Sequence, residues 1–131
     1  MPLHVELVSP ERILYSGDAD MVVCRTLEGG EIAFMAGHAP FLGALGVGMV
    51  RIKKADGGEE AAAVHGGFVE VRDNRVIVLS DVAELASQID VDRARRAKEA
   101  AEHKDSGMDD AEAEAALRRA NARLAAAERG R

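Results

Sequence analysis

The residues whose types and spacing could do chemistry lie near the carboxyl end. Ile89-Asp90-Val91-Asp92-Arg93-Ala94 opens a helix-like stretch, and Arg119 and Arg123 follow four residues apart. On a helix that spacing puts both side chains on one face, and the guanidinium fork is well matched to phosphate oxygens. Two helices folded against each other would therefore aim Arg93, Arg119 and Arg123 at the phosphates of a nucleotide. The chemistry expected is binding without hydrolysis, because no Gly-x-x-x-x-Gly-Lys-Ser/Thr cradle is present. Plainer roles stay open beside it: Asp90 as a helix cap, and the arginines as solvated or partner-facing charges. His4, His38, His65 and His103 stand far apart beside the single cysteine, Cys24. Neither a metal site nor a catalytic set is expected from them.

The elements that must position these residues begin at Asp81. There glycine and β-branched residues thin out and the apolar period moves from two toward 3.6. Asp90 or Asp92 can cap a helix running to about Lys104, with Asp105-Ser106-Gly107 as its stop. Asp109-Asp110-Ala111-Glu112 opens a second helix reaching about Glu128. Residues 89–131 thus read as an antiparallel helical hairpin. Its second helix offers only Leu117 and Leu124 as large aliphatics, so the hairpin is weakly docked and has two plausible arrangements, as a switch requires. Asp109, Asp110, Glu112 and Glu114 start that helix, while Arg118, Arg119, Arg123 and Arg129 end it. This order suits the helix dipole, and the basic end is either solvated or docks on an acidic partner.

Residues 1–88 have another grammar. Leu3–Val8 alternates apolar and polar, the mark of a strand with one face on a core. An extended piece Arg12–Tyr15, a Ser16-Gly17-Asp18 turn and a strand over Asp20–Leu27 follow, and Glu28-Gly29-Gly30 suits a tight turn. From Ile32 to Val50 the chain carries no charge besides His38, yet Gly37, Pro40, Gly43, Gly46 and Gly48 forbid a membrane helix. Two buried strands, Glu31–Met35 and Gly48–Lys53, joined by a Gly37-His38-Ala39-Pro40 corner, fit better. Ala55-Asp56-Gly57-Gly58 predicts a hairpin turn, Gly66-Gly67 a break or bulge, and Arg75–Leu79 a strand buried on both faces. About eight short strands indicate an antiparallel sandwich or flattened barrel.

At 131 residues the chain allows one ordinary domain or one small domain with an appendage, and a net charge of −6 argues against the basic surface of a nucleic-acid binder. Residues 1–88 contain 13 acidic and 7 basic side chains and so carry the whole excess. A lone Cys24 suits a reducing compartment. The amino terminus, Met-Pro-Leu-His-Val-Glu, lacks a basic region followed by an apolar stretch, so membrane contact is expected only through a partner.

Val5-Glu6-Leu7-Val8-Ser9-Pro10-Glu11, Ser16-Gly17, the Gly30–Ile52 block with Gly37-His38-Ala39-Pro40-Phe41-Leu42, Gly66-Gly67-Phe68-Val69-Glu70-Val71 and Val78–Glu84 are similar, in order, to the epsilon subunit of F-type ATP synthases. The resemblance implies a β-sandwich of about ten strands over 1–88, followed by the two-helix hairpin. It implies a non-catalytic subunit of the central stalk, peripheral to the cytoplasmic face of the membrane. Its partners would be the gamma subunit and the ring of c subunits, and the catalytic head when the hairpin extends and brakes ATP hydrolysis. Ile89-Asp90-x-x-Arg93-Ala94 matches that family's ATP-sensing motif, and Glu84, Arg119 and Arg123 its other nucleotide contacts, so the resemblance implies a regulatory ATP and no required cofactor. Glu28, Gly30 and Glu31 fall in the ring-facing loop, His38 and Pro40 in the neighbouring corner, and Arg118 in the basic helix that meets the head. Arg25-Thr26, where many members have Pro-Gly, and Ala33 and Ala36, in place of the usual glycine and proline, depart from the pattern. The rival readings are a stand-alone β-barrel enzyme and a helical adaptor; sparse large residues argue against a coiled-coil seam.

Overall fold

A computed structural model describes residues 2–103 and 107–130 of the chain. Seven strands come first: β1 (Leu3–Ser9), β2 (Arg12–Arg25), β3 (Glu31–Phe34), β4 (Phe41–Lys54), β5 (Glu59–Arg72), β6 (Arg75–Leu79) and β7 (Ala83–Leu85). A single 3₁₀ turn, Ala86–Gln88, then leads to α1 (Val91–Glu102) and α2 (Asp110–Arg129). The hydrogen-bonded order is β1-β6-β5-β4-β2-β3, and β1 also pairs with β2. That extra pairing joins the first strand to the fifth and closes the sheet into a flattened barrel, which removes most of the free edge an open sheet would expose.

Three strands are 14 residues long, β2, β4 and β5. Each serves different neighbours along its length, so counting their halves separately restores the expected ten. The predicted Ser16-Gly17-Asp18 turn does not exist: those residues continue β2, with Ser16 opposite Glu6 and Gly17 opposite Val5. Likewise β4 starts at Phe41 rather than Gly48. Small residues suggested breaks where the chain runs on because a partner strand supplies the hydrogen bonds. One pairing is parallel, β1 with β6 (Val5 opposite Val76, Leu7 opposite Val78), against the expectation of an all-antiparallel sheet. At Gly66 and Gly67, with φ of +86° and +126°, β5 bends as expected, and a side chain on Gly67 would run into the Leu79 carbonyl.

Alternation along the strands fills the barrel. Leu3, Val5, Leu7, Val22, Phe34, Ile52, Val64, Val69, Val71, Val76 and Val78 are essentially inaccessible. Arg75–Leu79 is buried on one face rather than two: Val76 and Val78 point in, while Leu79 is 44 % exposed. Outside the barrel, Ala61 and Ala63 of β5 and Ile89 cluster with Ala122, Ala126 and Ala127 of α2, with Val47 and Met49 at the margins. Methyl side chains on both sides let the helix lie close to the strand. In turn α1 packs chiefly on α2, burying only Ala94 and Ala101.

Both helix starts are capped as the sequence predicts. Asp90 accepts from the Arg93 amide (3.0 Å) and Asp109 from the Glu112 amide (2.7 Å). Of the predicted helix stop, Lys104, Asp105 and Ser106 lie outside the described residues.

Candidate functional site

Where the barrel passes into the hairpin, a cleft of about 290 Å³ opens between β7, the 3₁₀ turn, α1 and α2. Glu84, Gln88, Asp90, Arg93, Ala94, Ala97 and Arg123 line it. Its volume lies at the small end for ligand sites. Asp90 sits here because the helix must be capped here, so the cap and site roles fall on one residue. Arg93, one turn on, is exposed and pairs with no carboxylate among the described residues. Ala94 and Ala97 keep the wall of α1 low.

Arg123 reaches the same cleft from α2 and donates from Nε to Glu84 Oε1 at 2.6 Å. That carboxylate oxygen also lies 3.3 Å from His65 Nε2. His65 stands on β5 with its side chain only 5 % exposed, and its Nδ1 is buried without a hydrogen-bond partner among the described residues. Burial, then the charge of Arg123, holds this imidazole below its ordinary pKa; Glu84 opposes the shift, and Arg119 adds to it.

Of the six residues predicted for a nucleotide, the structure brings four to the cleft wall: Glu84, Asp90, Arg93 and Arg123. Ile89 is buried in the apolar cluster beneath α2 instead, where it seats the start of α1. Arg119 is exposed and lies outside the cleft lining.

The residues predicted for partners separate into two places. In the turn after β2, the Thr26 amide and hydroxyl both donate to the Gly30 carbonyl (2.8 and 2.9 Å), which holds Glu28 and Gly30 outward. Arg25 and Thr26 thus form a closed turn without the Pro-Gly pair. Glu31, opposite Arg25 in register, lies 4.0 Å from Arg51. It shares a groove of about 330 Å³ with Arg25, Met49 and Arg118, an association of Glu31 with Arg118 that their sequence distance conceals. His38 and Pro40 lie at the other end of β3. His38 donates from Nδ1 to the Ala39 carbonyl (2.7 Å) and sets its ring edge-on to Phe34, centroids 4.9 Å apart, so it braces the corner. The Gly37 amide ties that corner to Asn74 Oδ1 (2.7 Å); Ala33 and Ala36 are exposed.

An outer apolar row went unforeseen. Ile13, Val8, Leu79 and Phe68 are neighbours in register across β2, β1, β6 and β5, and Ile13 and Phe68 are each 57 % exposed. The alternation of each strand was visible, but its outward apolar residues mean something only once the strands are side by side. Contiguous exposed apolar surface of this kind marks an interaction site.

Comparison with known proteins identifies the family. Residues 2–86 match the family described as ATP synthase, Delta/Epsilon chain, beta-sandwich domain. Residues 87–128 match ATP synthase, Delta/Epsilon chain, long alpha-helix domain. The ATP synthase epsilon chain of Streptomyces griseus is 49 % identical over 124 residues, covering 95 % of this chain and 94 % of that one. That of Thermobifida fusca is 50 % identical over 128 residues, with 95 % and 91 % covered. Among solved structures, a chain of the Euglena gracilis mitochondrial ATP synthase, in an assembly that includes its c-ring, superposes with a TM-score of 0.80. It is 25 % identical, with 97 % of this chain and 81 % of that chain covered. A chain from the central stalk and c-ring of the Tetrahymena thermophila enzyme shares the fold, at a TM-score of 0.56 and 18 % identity over 98 % and 95 % of the two chains.

Proposed function

The chain belongs to the delta/epsilon family of ATP synthases as an epsilon chain, and from that premise we infer that its barrel is a rotor part and its hairpin a ligand-sensitive regulator. As a central-stalk subunit it works between the gamma subunit and the c-ring. We assign the outer row Ile13–Val8–Leu79–Phe68 to a stalk partner, and the Glu28–Glu31 turn to the ring. The chain itself carries out no turnover; catalysis belongs to the head. No described helix is long and apolar enough to cross a membrane, and the subunit meets the cytoplasmic face of the membrane peripherally, through the ring.

One observation carries the regulatory reading: the cleft takes its walls from both helices and from the barrel at once. A ligand held there by Arg93 of α1 and Arg123 of α2 binds only the folded hairpin. By mass action it stabilises that arrangement by a factor of one plus its concentration over its dissociation constant. Arg93, which pairs with no carboxylate among the described residues, suits a phosphate. Arg123 must share itself between the ligand and Glu84, whose carboxylate can accept from ribose hydroxyls. ATP is the ligand proposed, and an emptied cleft frees the hairpin to extend toward the head and slow hydrolysis.

The test is ATP hydrolysis by a catalytic head stripped of its own epsilon chain, with the full-length chain or residues 1–88 added back. Both should bind the head, and only the full-length chain should inhibit. Equal rates with the two forms would remove the brake. Calorimetry on the isolated chain should show ATP binding that is lost in Arg93→Ala; silence at millimolar ATP would remove the sensor.

A further inference from the structure

We propose that His65 is a positioning residue for the Glu84–Arg123 latch and that it makes docking of the hairpin proton-linked, so that mild acid releases α2 from the barrel. The hydrogen bonds of the ring fix its tautomer. An ionised carboxylate only accepts, so the contact of His65 Nε2 with Glu84 Oε1 at 3.3 Å requires the proton on Nε2. The neutral ring then carries its lone pair on Nδ1. That atom is buried and has no partner among the described residues, a tolerable state for an acceptor at the margin of an apolar seat. Protonation would place a second N–H there with nothing to receive it, and an unsatisfied buried donor is costly.

The surrounding charges act in the same direction. From α2, the charge of Arg123 and, more weakly, that of the exposed Arg119 repel an imidazolium. From β7, Glu84 attracts it, but the same oxygen already holds Arg123 at 2.6 Å. In β4 the register partner is Val47, which is uncharged, and the charged α1 residues Asp90 and Arg93 line the adjoining cleft together with Glu84 and Arg123. An imidazolium would therefore pull Glu84 toward itself and away from Arg123, while being repelled by the helix that Arg123 belongs to.

Undocking relieves all of this, since the ring regains water when α2 leaves. The docked form thus binds the proton more weakly than the undocked form. Docking is at full strength above the ordinary imidazole range near 6.5 and weakens as pH falls through it. The limit is about tenfold in the docked-to-undocked ratio per pH unit, until the docked form also protonates. This linkage uses the docking contact alone and stands whether or not the cleft binds a nucleotide.

The experiment measures docking in the full-length chain with spin labels on Asp20→Cys in β2 and Ala100→Cys in α1, both exposed positions. Cys24, fully buried with its thiol pushed up to about 12, stays unlabelled. Between pH 7.5 and 5.5 the short-distance population should fall at least threefold relative to the long one, and His65→Gln should flatten that dependence. A pH-independent distribution overturns the proposal. So does the same pH dependence in His65→Gln, which would place the titration on carboxylates. Imidazole resonances of the unlabelled wild type give a second reading that needs no variant: the His65 midpoint should lie below the ordinary imidazole value of 6.5, and a midpoint at or above it also overturns the proposal.

Discussion

The two sides of β5 are equally hidden from water and very unequally held. Ala62 and Val64 point into the barrel and Ala61 and Ala63 point at α2, and all four are at most 1 % exposed. Inside, their neighbours are branched or aromatic and belong to a ring of strands closed by backbone hydrogen bonds. Outside, they meet the methyl groups of Ala122, Ala126 and Ala127. Each methyl removes little apolar area from water compared with a valine or phenylalanine. Burial says where water is absent; side-chain size and backbone closure decide how much is lost when the contact opens.

Four perturbations sharpen that contrast, and the first should be the most damaging. Phe34, fully buried, anchors the barrel, and Phe34→Ala should cost about 3–5 kcal/mol and lower the urea midpoint of the whole chain. A loss below about 1 kcal/mol would mean that the core is as loosely packed as the hairpin seat. Next, Ala126→Leu forces three extra carbons between α2 and β5, an overpacking worth about 1–3 kcal/mol. It should expose the hairpin arginines to trypsin while the barrel keeps its cooperative unfolding; loss of both together would join the two regions into one unit. Third, Arg123→Ala removes the 2.6 Å donor to Glu84. It should weaken ATP binding by on the order of tenfold, as expected for one charged hydrogen bond, which calorimetry against Arg93→Ala would rank. Last, Arg129 contacts Glu59 at 2.7 Å from a half-exposed position, and exposed pairs contribute little. Arg129→Ala should leave trypsin sensitivity unchanged, and a measurable rise would show that the end of α2 is a second latch.

Residues 1–88 alone test the same division from the other side. They are expected to keep a cooperative thermal transition, with Ala61 and Ala63 newly wetted. Its disappearance would make the hairpin part of the core.

Local physics left clear marks in the chain. Asp90 and Asp109 cap because a carboxylate beside free helix amides has few better uses, and Asp56-Gly57-Gly58 turns with Gly57 at φ +99° and the Gly58 amide on Asp56 Oδ1. Alternation marked Leu3, Val5 and Leu7 as core. What failed depended on neighbours distant in sequence. Ser16 and Gly17 look like a turn until β1 is beside them, and Leu79 looks buried until its outer face is seen to be open. His65 precedes two glycines in a strand and carries no local sign that Glu84, 19 residues on, and Arg123 will converge on it. In the cleft, Asp90, Arg93 and Arg123 were legible from helical spacing. Glu84 entered through resemblance alone, because a single glutamate before a helix is chemically anonymous.

The parallel pairing of β1 with β6 also sets a timetable. On the ribosome β1 finds one of its two partners soon afterwards in β2, but the other, Arg75–Leu79, is made about seventy residues later. Contacts so distant along the chain form slowly, and in the interval the edge of β1 and the inward faces of Leu3, Val5 and Leu7 are uncovered. A growing chain stalled before β6 is therefore an aggregation hazard, whereas one stalled before α2 already holds every strand of the closed ring.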